Sequence, residues 1–356
     1  MHYSKYLKNV SSQLMDNTQI SEIKALLSTP KNIVIVPHRN PDGDAMGSTL
    51  ALYHYLKLYN HNAVIIAPND YPDFLKWLPG DDTVLKFESQ QNESERLIKN
   101  ADLIFTLDFN AFHRAGHQMA ELLEPSTAIK IMIDHHQQPD DYAKYMYSDI
   151  SMSSTCEMVY NFIEMLGDAD KINSTIATCI YVGIMTDTGS FRFPATTSRT
   201  HRVIGHLIEK GAENSQIHNN TYDTNSYSRL QLLGRAMQNL KVIPELRTAY
   251  ITLSQTDLDE FNFKKGDTEG FVNYALSLKG IIFAAIFIES QQDQIIKISL
   301  RSKGSFSVNE FSRAHFNGGG HTNAAGGLSD DDMQTTINKF ISILPQYKQD
   351  LSQGNP

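Results

Sequence analysis

Four apolar runs in this chain each lead into an aspartate or histidine cluster, and this pattern restricts the fold more than any other feature. Asn-Ile-Val-Ile-Val leads to His38-Arg-Asn-Pro-Asp42-Gly-Asp44, and Leu-Ile-Phe-Thr-Leu leads to Asp108. Ile-Lys-Ile-Met-Ile leads to Asp134-His135-His136, and Ile-Tyr-Val-Gly-Ile-Met-Thr leads to Asp187. All four runs are strand-like. A side chain at the carboxyl end of a buried parallel strand sits at the rim of an open α/β sheet, where such folds place their ligands. Four rims that deliver histidines and at least four carboxylates to one place make a divalent metal site. The mixture of carboxylate and imidazole favours Mn²⁺ or a similar first-row ion over Ca²⁺, which prefers oxygen ligands throughout.

The rest of the chain fits that frame. From Lys31 to about Gly211, apolar runs alternate with helix-patterned segments, which indicates βαβ units and a doubly wound, mostly parallel sheet. The strands are expected at 32–37, 63–67, 102–108, 129–134 and 144–147. A helix opens at Asp44 and carries Met46, Leu50, Tyr53 and Leu56 on one stripe. Ala45, Gly47 and Ser48 are small enough to let that helix lie close to the metal loop. Helices are also expected over residues 1 to about 28, 155–167 and 173–185, the last ending just before Asp187.

A polar stretch at 211–226 marks the domain boundary. Beyond it, strands at 247–254, 281–288 and 294–301 surround a helix at 267–278, with helices also at 227–240 and 330–343. The expected division is a catalytic domain over 1–211, a linker and connecting helix over 212–240, a smaller mixed-sheet α/β domain over 241–345, and a tail over 346–356. A chain of 356 residues is long enough that two cores are the default.

Composition excludes some partners. No stretch approaches the length of apolar sequence that spans a membrane, and the N-terminus lacks a secretory h-region. Cys156 and Cys179 show neither metal nor redox spacing, so both read as buried small hydrophobes in a reducing, cytoplasmic protein. The net charge of −9 does not suit a protein that tracks long duplex nucleic acid. The basic residues Lys297, Arg301, Lys303 and Arg313, with His315 and His321 nearby, instead suit a small phosphorylated ligand.

Within the first cluster, Asp42 and Asp44 alternate along one loop and can reach two adjacent ions, with Pro41 and Gly43 shaping the turn. Asp108 or Asp187 can supply the bridging carboxylate. Two ions about 3.5–4 Å apart activate water and stabilise the entering and leaving oxygens at phosphorus. Taken singly, each aspartate also reads as an ordinary helix cap or turn residue.

His38-Arg-Asn-Pro-Asp-Gly-Asp44, Leu107-Asp108, Asp134-His135-His136 and Met185-Thr-Asp187-Thr-Gly189 together resemble the signature motifs of the DHH phosphoesterase superfamily. The resemblance implies that His38, Asp42, Asp108 and Asp187 hold one Mn²⁺, and that Asp44, Asp108, His135 and Asp187 hold the other. Co²⁺ and Mg²⁺ are the alternatives. His136 is implied to act on the substrate phosphate or leaving group, with Asp134 orienting the histidines. Gly318-Gly-Gly-His321, followed by Asn323-Ala-Ala-Gly-Gly327, is similar to the GGGH signature of the DHH-associated domain. On this reading Gly318, Gly319 and Gly320 form a backbone nest for an anion, and His321 and Arg301 add charge-assisted bonds to it. Arg114 reaches the phosphate or clamps Asp108; its plain alternative is a solvated helix arginine.

Within the superfamily the chain most resembles the bifunctional oligoribonucleases and pAp phosphatases. The implied activity is hydrolysis of short single-stranded RNA and of 3′-phosphoadenosine 5′-phosphate (pAp), at an active site in the interdomain cleft. The alternatives are a soluble phosphodiesterase for linear or cyclic dinucleotides, and a non-catalytic nucleotide-binding module. No membrane or long duplex partner is expected, and a homodimer is left open.

Overall fold

The computed structural model describes residues 15–353, and the chain forms two compact units, one running through Thr224 and the other from Asn225. In the first unit α1 (Asn17–Leu26) starts at a capping box, in which Asp16 accepts from the Gln19 N–H and Gln19 reaches back to the Asp16 N–H. The earlier part of the helix expected over 1–28 lies outside the described residues. Then follow β1 (Asn32–Pro37), α2 (Gly43–Lys57), β2 (Asn62–Ala67), β3 (Leu85–Lys86), α3 (Gln91–Lys99), β4 (Leu103–Leu107) and α4 (His117–Leu123). The unit continues with β5 (Ile129–Asp134), β6 (Tyr145–Ser148), α5 (Thr155–Met165), α6 (Ser174–Asp187), α7 (Ser198–Glu209) and α8 (Asn214–Tyr222).

The six strands form one parallel sheet in the order β3-β2-β1-β4-β5-β6. Successive strand residues point to opposite faces, and both faces are covered. Ile33, Ile35, Phe105 and Ile131 pack on one side with α2, α5 and α6, whereas Val34, Val36 and Ile104 pack on the other with Ile98, Met119 and Leu123. This is the doubly wound sheet expected from the continuous apolar runs. The chain builds outward from β1 to β2 and β3, then returns to β4 on the other side of β1. The strand order therefore reverses between β1 and β4, the crevice where open α/β sheets bind ligands.

The fourth apolar run, strand-like in composition, is the helix expected over 173–185 and not a strand. Residues 174–187 are α6, and Asp187 is its last residue. The helix is buried from Ile176 to Met185 almost without a break, so its sequence is apolar on all sides and carries no clear helical period. Three strand ends and one helix end therefore supply the expected ligands. The stripe read on α2 is likewise too narrow, because residues 43–52 are all buried. Its small residues face α6: a Cβ at Gly47 would lie 2.6 Å from the Cys179 carbonyl oxygen and 2.9 Å from Cys156 Sγ.

The second unit holds α9 (Tyr227–Gln238), β7 (Lys241–Ile243), β8 (Thr248–Leu253), α10 (Gln255–Glu260), α11 (Phe271–Leu276), β9 (Phe283–Ser290) and β10 (Ile295–Ser302). It ends with α12 (Val308–His315), β11 (Gly319–His321), β12 (Ala324–Ser329), α13 (Met333–Ile343) and α14 (Lys348–Gln353). Its sheet has the order β11-β12-β10-β9-β8-β7 and is antiparallel except between β8 and β9, so it is mixed as expected. Phe283, Phe287, Phe311, Phe316 and Phe340 fill its core.

The polar stretch taken as a linker contains α8 in the first unit, and the connecting helix α9 packs Leu232 and Ala236 into the second unit's core. The expected tail includes α14, where Leu351 is buried and Arg247 Nη1 donates to the Leu351 carbonyl at 3.3 Å.

Candidate metal centre

Strand register brings the ligands together. Pro37 pairs with Leu107 and Leu107 with Ile133, so the residues that follow, His38, Asp108 and Asp134, stand side by side at the carboxyl edge. The Asp108 N–H donates to the Ile133 carbonyl at 3.1 Å. Asp108 itself is left-handed, with φ 65°, a conformation in which Asp is among the commoner non-glycine residues.

Two ligand groups meet at Asp108. In one, His38 Nε2 lies 3.5 Å from Asp108 Oδ2 and 3.8 Å from Asp42 Oδ1. In the other, His135 Nε2 lies 3.6 Å from Asp108 Oδ1, 3.7 Å from Asp44 Oδ2 and 3.5 Å from Asp187 Oδ2. Asp108 thus presents one oxygen to each group. Atoms that share an ion at 2.0–2.2 Å lie roughly 3–4 Å from one another, and these separations match. The histidines are oriented to suit. His38 Nδ1 is 2.8 Å from the Arg39 carbonyl and His135 Nδ1 is 3.3 Å from the Met152 carbonyl, which leaves each Nε2 facing the carboxylates. The donor set therefore fits divalent metal ions.

Supporting contacts hold the carboxylates. Asp42 caps α2 and accepts from the Asp44 and Ala45 N–H groups, both at 3.1 Å, so it is both helix cap and candidate ligand. Asp44 is buried at the start of α5, where the Thr155 N–H (2.6 Å) and the Cys156 N–H (2.8 Å) donate to it. A helix N-terminus stabilises such a carboxylate. The Thr155 hydroxyl donates to Asp108 Oδ1 at 2.9 Å. No apolar run or acidic motif marks Thr155 and Cys156 in the sequence; the Ser154-x-x-Glu157 cap, in which Ser154 accepts from the Glu157 N–H, is the signal that locates this helix start.

Electrostatics follow from this packing. Burial alone would raise the Asp108 carboxyl, but the hydrogen bond from His38 and the charges of His38 and His135 outweigh it and hold it well below the usual carboxylate range. Burial pushes Asp44 well up, and the neighbouring Asp108 and Asp187 add to the effect. Burial opposes protonation of His135, yet Asp187, Asp108 and Asp44 together push it up to about 9. In the metal-free protein this raised value adds stability that is complete below the unfolded pKa near 6.5 and is lost as pH rises through about 9. An ion must displace that proton. Titrating Mn²⁺ into metal-free protein near neutral pH therefore releases about one proton or more per chain, read from calorimetry in buffers of different ionisation heat. Binding without proton release would contradict His135 as a ligand.

His136 stands beside Asp108, with Nδ1 3.7 Å from Asp108 Oδ1, but its nearer partner is Asp134. Asp134 is fully buried and accepts from His136 Nδ1 at 2.7 Å and from the His136 N–H at 3.0 Å. Arg114 Nη2 lies 3.4 Å from His136 Nε2. A guanidinium only donates, so Nε2 is the acceptor and the ring is neutral. Burial, helped by Arg114 and opposed by Asp134, lowers the His136 pKa accordingly. The positive group at this point is Arg114, which sits on a short 3₁₀ turn rather than on a helix.

In the second unit, the glycine run is not the open nest expected. Gly319 and Gly320 lie in edge strand β11, paired with β12. A Cβ at Gly318 would collide with the Gly326 carbonyl and the Ser312 hydroxyl, and one at Gly320 would lie 2.5 Å from the Ala324 carbonyl. The glycines let β11, β12 and α12 pack closely. Arg301 lies on β10 and donates from Nη1 to the Leu300 carbonyl at 3.0 Å, and His321 closes β11.

Comparison with known proteins finds relatives along most of the chain. Residues 32–184 match the N-terminal domain of the DHH family, and residues 247–349 match the DHHA1 domain. The chain is similar to the bifunctional oligoribonuclease and PAP phosphatase NrnA of Bacillus subtilis, with 29% identity covering 86% of this chain and 92% of that protein. Its counterpart from Thermus thermophilus is 30% identical, with 86% of each chain covered. A crystal structure of an exopolyphosphatase-related protein from Bacteroides fragilis superposes with a TM-score of 0.91 at 38% identity, covering 96% of this chain and all of that one.

Proposed function

Because this chain belongs to the DHH phosphoesterase family, we propose that it is a Mn²⁺-dependent hydrolase that converts oligoribonucleotides of two to five nucleotides to mononucleotides and pAp to AMP and phosphate. The observation that carries the reading is Asp108, whose two oxygens face two separate groups of ligands. His38, Asp42, Asp44, Asp108, His135 and Asp187 would hold the ions, with Asp108 and Asp187 shared. A bound pair of ions supplies a nucleophilic water near neutral pH and offsets charge at phosphorus. The protein's own groups do the rest. Arg114 meets the phosphate charge, and His136, fixed by Asp134, receives or returns a proton at Nε2, the nitrogen beside Arg114. Within the second unit, Arg301 and His321 are the groups suited to a phosphate. Both cysteines are buried free thiols, which suits a reducing cytoplasm, and no helix among the described residues is long and apolar enough to cross a membrane.

The test is release of phosphate or mononucleotide from pAp, a pentaribonucleotide and a 24-mer RNA, each with Mn²⁺ and with chelator. Fast Mn²⁺-dependent turnover of the first two with slow turnover of the last is the expected result. Turnover of the 24-mer alone would point to a processive exonuclease. Inactivity on all three would favour cyclic dinucleotides, then a binding module. His321→Ala is expected to raise KM about tenfold with kcat little changed, since it removes a binding contact and leaves the ions alone. An unchanged KM would remove His321 from the substrate site.

A further inference from the structure

The loop between His38 and Asp42 carries two candidate ligands on a strained turn. Asn40 has φ 56° and directly precedes Pro41, a position normally pushed to extended backbone. Such a conformation persists only where its surroundings hold it. The loop is held from two sides. On the β4 side, the Arg39 N–H donates to the Arg114 carbonyl at 2.7 Å. On the β2 side stands Asn69, which is buried with 4% of its surface exposed. Its Oδ1 accepts from the Asn40 N–H at 2.7 Å, and its Nδ2 donates to Asn40 Oδ1 at 2.9 Å and to the Asp70 carbonyl at 3.0 Å. Asn69 thus grips Asn40 through backbone and side chain together.

The other ligand group is braced by different parts of the molecule. Asp44 rests on the Thr155 and Cys156 N–H groups, and His135 on the Met152 carbonyl. We infer that Asn69 is a positioning residue for one half of the centre, setting His38 and Asp42 while leaving the Asp44–His135 half untouched. The inference rests on the paired-metal reading above. Outer partners of metal ligands typically account for about 10–100-fold in metal affinity. A residue that served only general stability would weaken both halves alike.

The experiment is calorimetric titration of Mn²⁺ into metal-free full-length wild type, Asn69→Ala and Asn69→Asp, with melting curves of each metal-free protein. Wild type is expected to bind two ions. Asn69→Ala is expected to weaken one binding event about 10–100-fold and the other less than about twofold. Asn69→Asp keeps the acceptor for the Asn40 N–H but loses the amide donor, so an intermediate loss at the same single site is expected. Equal weakening of both events, or no weakening in either variant, overturns the inference. Should Asn69→Ala fail to fold, Asn69→Asp decides by the same criterion. A wild type that binds only one ion overturns the paired reading and this inference with it; two ions in wild type and in both variants, unchanged, overturns the inference alone.

Discussion

Asp108→Asn is expected to lower metal-dependent hydrolysis by at least about 10³-fold while the metal-free protein still melts cooperatively. Two features underlie the size of this effect. Each carboxylate oxygen faces a different ligand group, through His38 on one side and His135 on the other, so an amide removes one anionic ligand from both. The side chain is also buried among three imidazoles, so no water can replace the lost charge at low cost. The fold is spared because Asn tolerates the left-handed conformation at this position and still accepts from the Thr155 hydroxyl through its remaining oxygen. Steady-state kinetics beside metal-free melting curves provide the check. Activity within about tenfold of wild type would remove Asp108 from the bridging role.

Gly183→Ala is expected to lower the stability of the first unit and to disturb Asp44 together. Where α2 crosses α6, a Cβ at Gly183 would fall inside van der Waals contact of Cys156 Sγ and 2.9 Å from Asp44 Oδ1. Overpacking of this kind costs about 1–3 kcal/mol, and each kcal/mol moves the melting temperature by roughly 2–4 °C in a domain of this size. The same methyl pushes on Asp44, so the stabilisation gained on adding Mn²⁺ is also expected to fall. Cys156→Ala removes the sulfur that collides, and the double variant Gly183→Ala/Cys156→Ala should recover part of the loss, a coupling that a mutant cycle isolates. Additive effects of the two changes would show that the crossing accommodates the methyl elsewhere.

These two positions differ in how far the sequence reveals them. The runs before His38, Asp108 and Asp134 read as strands because central parallel strands are apolar on both faces, and their last residues fall at the switch point between β1 and β4. The run before Asp187 has the same strand-like composition, because a helix buried on every side has no polar face, yet it is the helix expected over 173–185. β11 and β12 were hidden because Gly318-Gly-Gly and Ala-Ala-Gly-Gly look like flexible turns, although close packing beneath α12 makes them strands. The short helix α14 read as a tail for want of enough residues to show a pattern. The supports of the centre were the least legible. Thr155, Cys156 and Asn69 act through backbone N–H groups or across loops, and only the fold brings these to Asp44 and Asn40.

A carboxylate that joins two ligand groups should hold a coupled pair of ions. Electron paramagnetic resonance of the protein titrated with Mn²⁺ tests it most directly. At two equivalents the spectrum is expected to be that of an exchange-coupled Mn²⁺ pair, and in Asp108→Asn the coupling is expected to vanish. Isolated Mn²⁺ signals at every loading of the wild-type protein would contradict the account.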